Sequence, residues 1–196
     1  MAKQGLLVVI SGPSGTGKGT IVKELLGGSD PIMLSVSATT RKPRVGEVNG
    51  VNYYFVSREE FAHLVETDGM LEHAEYCGNC YGTPRKPVED ALDSGRDVLL
   101  EIEVQGALQI KKKCPDCVTL FILPPSVEEL EHRLRGRGTE DEETICRRMS
   151  QLERELSFVG QYDYAVVNGD LSTAVADVRA ILRAEHCRTQ RTEPLK

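Results

Sequence analysis

The chain has 196 residues, 40% of them hydrophobic and 28% charged, which is ordinary for one soluble globular domain. Its net charge of −6 argues against a nucleic-acid-binding surface, because such domains are usually basic. No apolar stretch approaches the ~20 residues of a membrane span and the amino terminus lacks a signal-peptide pattern, so we expect a cytoplasmic protein with no membrane partner.

The first predicted strand, Leu6–Ile10, leads directly into a glycine-rich turn and a helix that begins near Lys18. This order is typical of a phosphate-binding Walker A loop and argues against a chance glycine-rich turn. Glycines let successive backbone N–H groups converge on an anion, while the helix dipole and Lys18 add positive charge. The loop therefore predicts a nucleotide polyphosphate site, made of Gly12, Pro13, Ser14, Gly15, Thr16, Gly17, Lys18, Gly19 and Thr20.

The loop departs from the usual pattern at the position after its lysine. Ser or Thr normally stands there, and its hydroxyl holds magnesium. Here the position is Gly19, and the hydroxyl comes one residue later at Thr20. Phosphate binding survives this change, since backbone amides and Lys18 provide most of it. We expect magnesium to be held through water and a distant carboxylate.

The remaining apolar runs are short and nearly continuous, and helix-like patterns separate them. This texture predicts parallel strands covered by helices on both faces, hence an α/β protein with a parallel five-stranded sheet. The predicted strands after the first are Ile32–Val36, Val98–Ile102, Val118–Leu123 and Ala165–Val167. Capping boxes predict helices that begin after Ser57, Ser126 and Thr139. Two helices have regular apolar faces, formed by Ile145, Met149, Leu152 and Leu156 and by Val175, Val178 and Leu182.

The segment from residue 37 to residue 88 differs in composition from the rest, since it holds four of the six tyrosines. Asn52–Val56 resembles a strand, and Met70–Tyr76 with Cys80–Gly82 resembles a small antiparallel patch. We therefore predict a polar and aromatic insertion in an otherwise aliphatic protein.

The six cysteines include two CxxC pairs, Cys77 with Cys80 and Cys114 with Cys117. Such pairs can form a zinc site if they meet in space. The second pair is predicted at the amino end of a strand, away from the nucleotide loop, and the first in a hairpin near the substrate. We expect reduced thiols, with a shared zinc site as the alternative; Cys146 and Cys187 have no evident partner.

Two arginine-rich segments are candidates for phosphate recognition. Ser37 with Arg41 and Arg44 makes a fork suited to a phosphate monoester, although a solvated basic loop is the alternative. The second group could close over a transferring phosphoryl group, or could pair with helix-surface glutamates instead. Its members surround the Gly136–Gly138 turn and are Arg133, Arg135, Arg137, Arg147 and Arg148.

Taken in order along nearly the whole chain, these motifs resemble the guanylate kinase family. The matching segments are Gly12–Lys18, Ser35–Arg44, Gly46–Gly50 leading to Tyr53, Leu71–Glu75, Tyr81–Thr83, Val104–Ala107, Arg135–Gly138 and Val167–Asn168. The resemblance implies an enzyme that transfers the γ-phosphoryl group of ATP, with Mg²⁺, to GMP and dGMP. It also implies a P-loop kinase core (1–36, 89–125 and 151–196), a small mixed GMP-binding insertion (37–88) and a helical lid (126–150).

The resemblance assigns roles to individual residues. It implies that the GMP phosphate is held by Ser37, Arg41, Arg44, Tyr53 and Tyr81, and that guanine is read by Glu72, Thr83 and Glu103. It implies that Asn168 contacts adenine, and that the catalytic residues are Lys18, Arg41, Arg137 and Arg148. The chemistry of guanine agrees, because a carboxylate can accept from both N1 and the 2-amino group. Adenine in that position would leave buried polar groups unpaired.

The acidic segment before Gln105 departs from the family pattern, which usually reads Asp-x-Asp or Glu-x-Asp. Here it reads Glu101-Ile102-Glu103, and Glu101, at the end of a central strand, could orient water around magnesium. Two alternatives stay open: a non-catalytic binding module, against which the intact Gly17-Lys18 pair argues, and a kinase for another phosphorylated acceptor.

Overall fold

The computed structural model describes residues 4–28, 31–76, 78–136 and 142–191, apart from the side chains of Tyr76 and Arg147. The strands are β1 (Leu7–Ser11), β2 (Ile32–Leu34), β3 (Ala38–Thr39), β4 (Tyr54–Phe55), β5 (Met70–Tyr76), β6 (Asn79–Pro84), β7 (Asp97–Glu101), β8 (Val118–Leu123) and β9 (Tyr164–Val167). The helices are α1 (Lys18–Leu26), α2 (Arg58–Glu66), α3 (Arg85–Asp93), α4 (Val104–Lys113), α5 (Val127–Gly136), α6 (Glu142–Leu156) and α7 (Leu171–His186).

Five parallel strands form the central sheet in the order β2-β7-β1-β8-β9, which confirms the predicted sheet. Every residue of β1 is buried, as the continuous apolar run predicts for a strand covered on both faces. One face packs against α1 and α7 through residues such as Ile21 and Val178. The other face packs against α3 and α4 through residues such as Val88 and Ile110. The carboxyl ends of all five strands therefore meet at one edge.

A second sheet, ordered β4-β3-β6-β5, is built from the segment between β2 and α3. The hairpin of β5 and β6 confirms the predicted antiparallel patch. The predicted strand at 52–56 is reduced to Tyr54–Phe55, which pairs in parallel with Ala38–Thr39. The helix predicted after Ser57 is confirmed, with both hydrogen bonds of its capping box present.

Helices α5 and α6 pack against each other through Leu130, Leu134 and Leu152. Only half of the capping box predicted at Ser126 forms: its hydroxyl accepts from the Glu129 N–H at 3.1 Å. The Glu129 carboxylate instead accepts from Arg133 Nε at 2.8 Å, since that pairing lies along the helix surface. The cap predicted at residue 139 falls outside the described residues.

The cysteine pair before β8 lies where the sequence predicts, at the amino end of a strand. The Cys117 N–H donates to the Cys114 carbonyl at 3.0 Å, and burial raises the pKa of the Cys117 thiol to about 11. Among the residues that the structure describes, no group of three or more His, Cys, Asp or Glu side chains could hold a metal ion. Cys77 lies outside the described residues. Within the described ranges, no helix has the length and apolar character needed to cross a membrane.

Candidate active site

The P-loop, residues 12–20, joins β1 to α1 at the middle of the carboxyl edge of the central sheet. Its last residue before α1 is Gly17, whose φ is +87° and where a Cβ would lie 2.4 Å from Asn168 Nδ2. A side chain would therefore be both strained and obstructed there. The Lys18 ammonium donates to the carbonyls of Gly12 and Pro13 at 2.6 and 2.9 Å. This geometry fixes the charge of Lys18 over the loop.

Asn168, which follows β9, braces the P-loop from the side. The residue is 6% exposed, and its Nδ2 donates to the Thr16 carbonyl at 2.7 Å. Arg133 of α5 in turn donates to the Asn168 carbonyl at 3.0 Å. Asn168 and Arg133 also line a cavity of about 320 Å³ beside Gly15 and Gly17, here named the donor cavity. The residue predicted to touch adenine thus lies at that cavity with its amide bonded to the loop.

A second cavity of about 310 Å³ lies between the sheet β4-β3-β6-β5 and the start of α4, and is here named the acceptor cavity. Glu101 lies on its wall, which brings the acceptor cavity to the carboxyl edge of the central sheet next to the P-loop. Five of the residues predicted to bind GMP line it: Ser37, Tyr53, Glu72, Tyr81 and Glu103. The structure therefore brings most of the predicted acceptor residues together around one space.

Glu72 is a buried acid that lines the acceptor cavity, and the residue is 6% exposed. It lies opposite Thr83 in the β5–β6 ladder, and the Thr83 hydroxyl donates to Glu72 Oε1 at 2.7 Å. Burial raises the pKa of Glu72, while the hydrogen bonds from Thr83 oppose that rise. Thr83, predicted to read guanine, thus also holds the group that would read it.

Arg41 is held beside the acceptor cavity by Glu47. Its guanidinium donates to both Glu47 carboxylate oxygens, at 3.0 and 2.8 Å, and lies 5.4 Å from the centre of the Tyr53 ring. The hydrogen bond from Arg41 is the main cause that lowers the pKa of Glu47, and the Arg44 N–H adds to it at 2.7 Å. Sequence reasoning missed Glu47 as a site residue, although an acid six residues after an arginine in a turn is a usable signal.

Glu101 lies next to the P-loop position that departs from the usual pattern. A Cβ on Gly19 would be 3.6 Å from Glu101 Oε1, within ordinary van der Waals contact. Glu101 lines the acceptor cavity. Partial removal of its carboxylate from water raises its pKa, and the positive charge of Lys18 opposes that rise. An acidic group therefore stands beside the position at which other loops carry a hydroxyl.

Arginines near α5 and α6 divide between the site and the helix surface. Arg148 donates to the Ser14 hydroxyl and so reaches the P-loop from α6. Arg135 pairs with Glu131 at 2.8 Å and with Glu142, as the helix-surface alternative predicts. Arg137 lies outside the described residues.

Glu155 is a second group that sequence reasoning missed. It lies seven residues after Arg148 on α6 and is half-buried. Burial raises its pKa, and the charges of Lys18 and Arg148 oppose that rise. The i, i+7 spacing from Arg148, which returns to the same helix face, could have indicated it.

Comparisons with known proteins agree with this geometry. The family described as "Guanylate kinase" matches residues 4–185. A curated guanylate kinase of Desulfitobacterium hafniense (strain Y51) is 54% identical over 187 residues, covering 95% of this chain and 94% of that protein. One of Caldanaerobacter subterraneus subsp. tengcongensis is 52% identical, covering 98% and 94%. The crystal structure of guanylate kinase from Anaplasma phagocytophilum has a TM-score of 0.77 at 40% identity, covering 97% of this chain and 90% of that one.

Proposed function

The chain belongs to the guanylate kinase family, and from that premise we propose how its residues share the family's reaction. That reaction transfers the γ-phosphoryl group of ATP to GMP, giving ADP and GDP. The observation that carries the proposed roles is the acceptor cavity, which the buried Glu72 carboxylate lines together with Glu101 from the carboxyl edge of the central sheet. We include dGMP as an acceptor, because the proposed contacts address the base and the phosphate. The core, insertion and lid boundaries given above remain our proposal.

The P-loop would bind the phosphates of the donor, ATP. Phosphoryl transfer asks the protein mainly for alignment and for stabilisation of negative charge. Lys18 and the loop amides would hold the β- and γ-phosphates of ATP, with adenine in the donor cavity beside Asn168. Arg148 already contacts Ser14 and would place its charge at the moving group, together with Arg137 of the lid. Closure of the lid would also exclude water as a competing acceptor.

The arginine fork would bind the acceptor phosphate. Arg41 presents two N–H groups to Glu47, which is the arrangement that also suits two phosphate oxygens. We propose that the GMP phosphate takes up this fork, with Arg44 and the hydroxyls of Ser37, Tyr53 and Tyr81 as further contacts. Glu47 then acts as a positioning residue, because it keeps the guanidinium in place before the acceptor binds.

Glu72 would bind the guanine base, with Thr83 and Glu103 beside it. Ionised Glu72 can accept from N1 and the 2-amino group, whereas adenine offers an acceptor at N1 and would leave the buried carboxylate unpaired. Discrimination through buried polar groups of this kind is much stronger than through shape alone. Guanine is therefore the base that this cavity suits.

The family generally uses a divalent metal with ATP, and we propose Mg²⁺ with Glu101 as the residue that holds it through water. The donor set fits, since carboxylate and water oxygens are the ligands that Mg²⁺ prefers. When bound, the ion neutralises charge on the β- and γ-phosphates. The Glu101 carboxylate lies beside Gly19, so the acid would take over the task of the missing hydroxyl.

We expect Glu101→Gln to weaken metal binding about 10-fold, because the variant loses the charge that orients water around the ion. The measurement is Mn²⁺ binding, followed by electron paramagnetic resonance, to the protein with a non-hydrolysable ATP analogue. Adding Gly19→Ser to Glu101→Gln should restore part of the affinity by returning the hydroxyl. Glu103→Gln removes a nearby charge and serves as the control. Unchanged Mn²⁺ affinity in Glu101→Gln would show that another group holds the metal.

The reaction itself is tested by ADP release with five acceptors. We expect turnover with GMP and dGMP, weaker turnover with IMP, which lacks the 2-amino group, and little with AMP or UMP. Turnover with none of them would favour a binding module, and preference for AMP or UMP would exclude Glu72 as the group that reads guanine.

A cytoplasmic location also remains a prediction.

A further inference from the structure

The third residue of α4, Gly106, lies directly behind the Glu72 carboxylate. A Cβ on Gly106 would be 2.8 Å from Glu72 Oε2 and 3.3 Å from both Glu72 Cδ and Ile102 Cδ1. Cβ atoms in proteins do not approach other atoms within 3.0 Å, so a neighbouring group would have to move. Gly106 itself is buried in a helix, so the glycine is needed here for space. Any side chain at this position would press on the carboxylate.

The distance between α4 and β5 is fixed by hydrogen bonds from side chains that follow Gly106 on α4 to the backbone of two β5 residues that flank Glu72. The Gln109 side chain accepts from the His73 N–H at 3.3 Å and donates to the His73 carbonyl at 3.1 Å. One turn further along the helix, the Lys113 ammonium donates to the Met70 carbonyl at 3.0 Å. The strand therefore cannot move away from the helix without losing these bonds. A group inserted at Gly106 would instead displace the Glu72 side chain.

Glu72 is thus held from two sides. Thr83 fixes Oε1 from β6 at 2.7 Å, while the bare backbone of Gly106 sets how close Oε2 can come to α4. We propose that Gly106 is a specificity-determining positioning residue, and that Gln109 maintains the spacing on which it depends. This inference rests on the proposed role of Glu72 in reading guanine.

The physical consequence follows from hydrogen-bond geometry. Two parallel bonds to N1 and the 2-amino group require both carboxylate oxygens near 2.9 Å, and hydrogen bonds weaken steeply when distance or angle is lost. Misplacement of a binding group by ~1 Å can cost about 10²-fold in rate. IMP uses only one of the two bonds, so displacement of the carboxylate should harm GMP more than IMP.

The test is Gly106→Ala with steady-state kinetics for GMP, IMP and ATP. We expect kcat/KM for GMP to fall about 10- to 100-fold and the preference for GMP over IMP to shrink, with KM for ATP within about twofold. Alanine favours a helix over glycine, so helix propensity does not disfavour folding. Gly160→Ala, where a Cβ would meet no atom within 4 Å, is the matched control. Gln109→Leu should give a smaller change in the same direction.

A double-mutant cycle separates steric pressure on Glu72 from a general effect on the fold. Glu72→Asp withdraws the carboxylate by one methylene, so Gly106→Ala should cost little when added to that variant. An equal cost of Gly106→Ala with and without Glu72→Asp would overturn the inference, as would an unchanged GMP:IMP ratio. Glu72→Gln tests the underlying role. If Glu72→Gln leaves the preference among GMP, IMP and AMP unchanged, the proposed role of Glu72 fails. If it alters that preference while Gly106→Ala does not, only the present inference fails.

Discussion

Replacement of Lys18 by alanine is expected to lower kcat about 10³-fold while leaving KM for GMP within about threefold. The ammonium lies over the P-loop, 2.6 and 2.9 Å from the carbonyls of Gly12 and Pro13, at the place where the donor phosphates would bind. Charge that develops on the transferring group would lose its nearest fixed cation on the loop, so the loss falls mainly on the transition state. Coupled ADP-release kinetics at varied ATP and GMP give both constants.

Lys23→Ala on the same helix is the matched control. Lys23 is exposed, and its substitution removes the same charge at a position away from the loop. Lys18 also bonds the loop to itself, so the melting temperature of the variant should be recorded beside the kinetics. An increase in KM for ATP with kcat unchanged would mean that Lys18 stabilises the ground state and the transition state equally, and it would contradict the expected loss of transition-state stabilisation.

Arg41→Ala is expected to raise KM for GMP about 10²-fold with KM for ATP nearly unchanged, since a two-pronged charged contact to phosphate is lost. Arg41→Lys should recover little of this, because an ammonium cannot present the planar pair of N–H groups that now meets Glu47. Steady-state kinetics with GMP varied at saturating ATP, and the reverse, measure the two effects.

Lys42→Ala controls for charge in the same loop, because its side chain is exposed and only its carbonyl accepts a hydrogen bond from Arg41. Equal loss of GMP and ATP binding in Arg41→Ala would indicate a folding defect, and a KM for GMP close to that of the wild type would remove Arg41 from the acceptor site.

The central sheet and the P-loop could be predicted because their signals are local. Buried parallel strands appear as continuous apolar runs, and the loop requires glycines at fixed offsets from a lysine. The pairing of Ala38–Thr39 with Tyr54–Phe55 could not be predicted, since two-residue strands show no periodicity. Their partners are chosen by the tertiary structure.

The candidate site divides in the same way. Arg41, Glu72 and Lys18 stand out through residue type within motifs that resemble a family. Gly106 lies in the matching segment Val104–Ala107, yet the proposed importance of Gly106 and Gln109 depends on distances between α4 and β5 that no local pattern encodes. Likewise, the P-loop brace by Asn168 joins groups 152 positions apart in the chain.

The Arg41–Glu47 pair also bears on anions that are not substrates. Because the guanidinium already has a carboxylate partner, the Arg41–Glu47 pair carries no net charge, and an anion that binds Arg41 gains only the difference between two similar contacts. Inorganic phosphate or a free carboxylic acid would gain little from that exchange. A nucleotide gains more, because its base contributes binding energy in the acceptor cavity. The Arg41–Glu47 ion pair therefore favours binding of a phosphate attached to a base over binding of free phosphate.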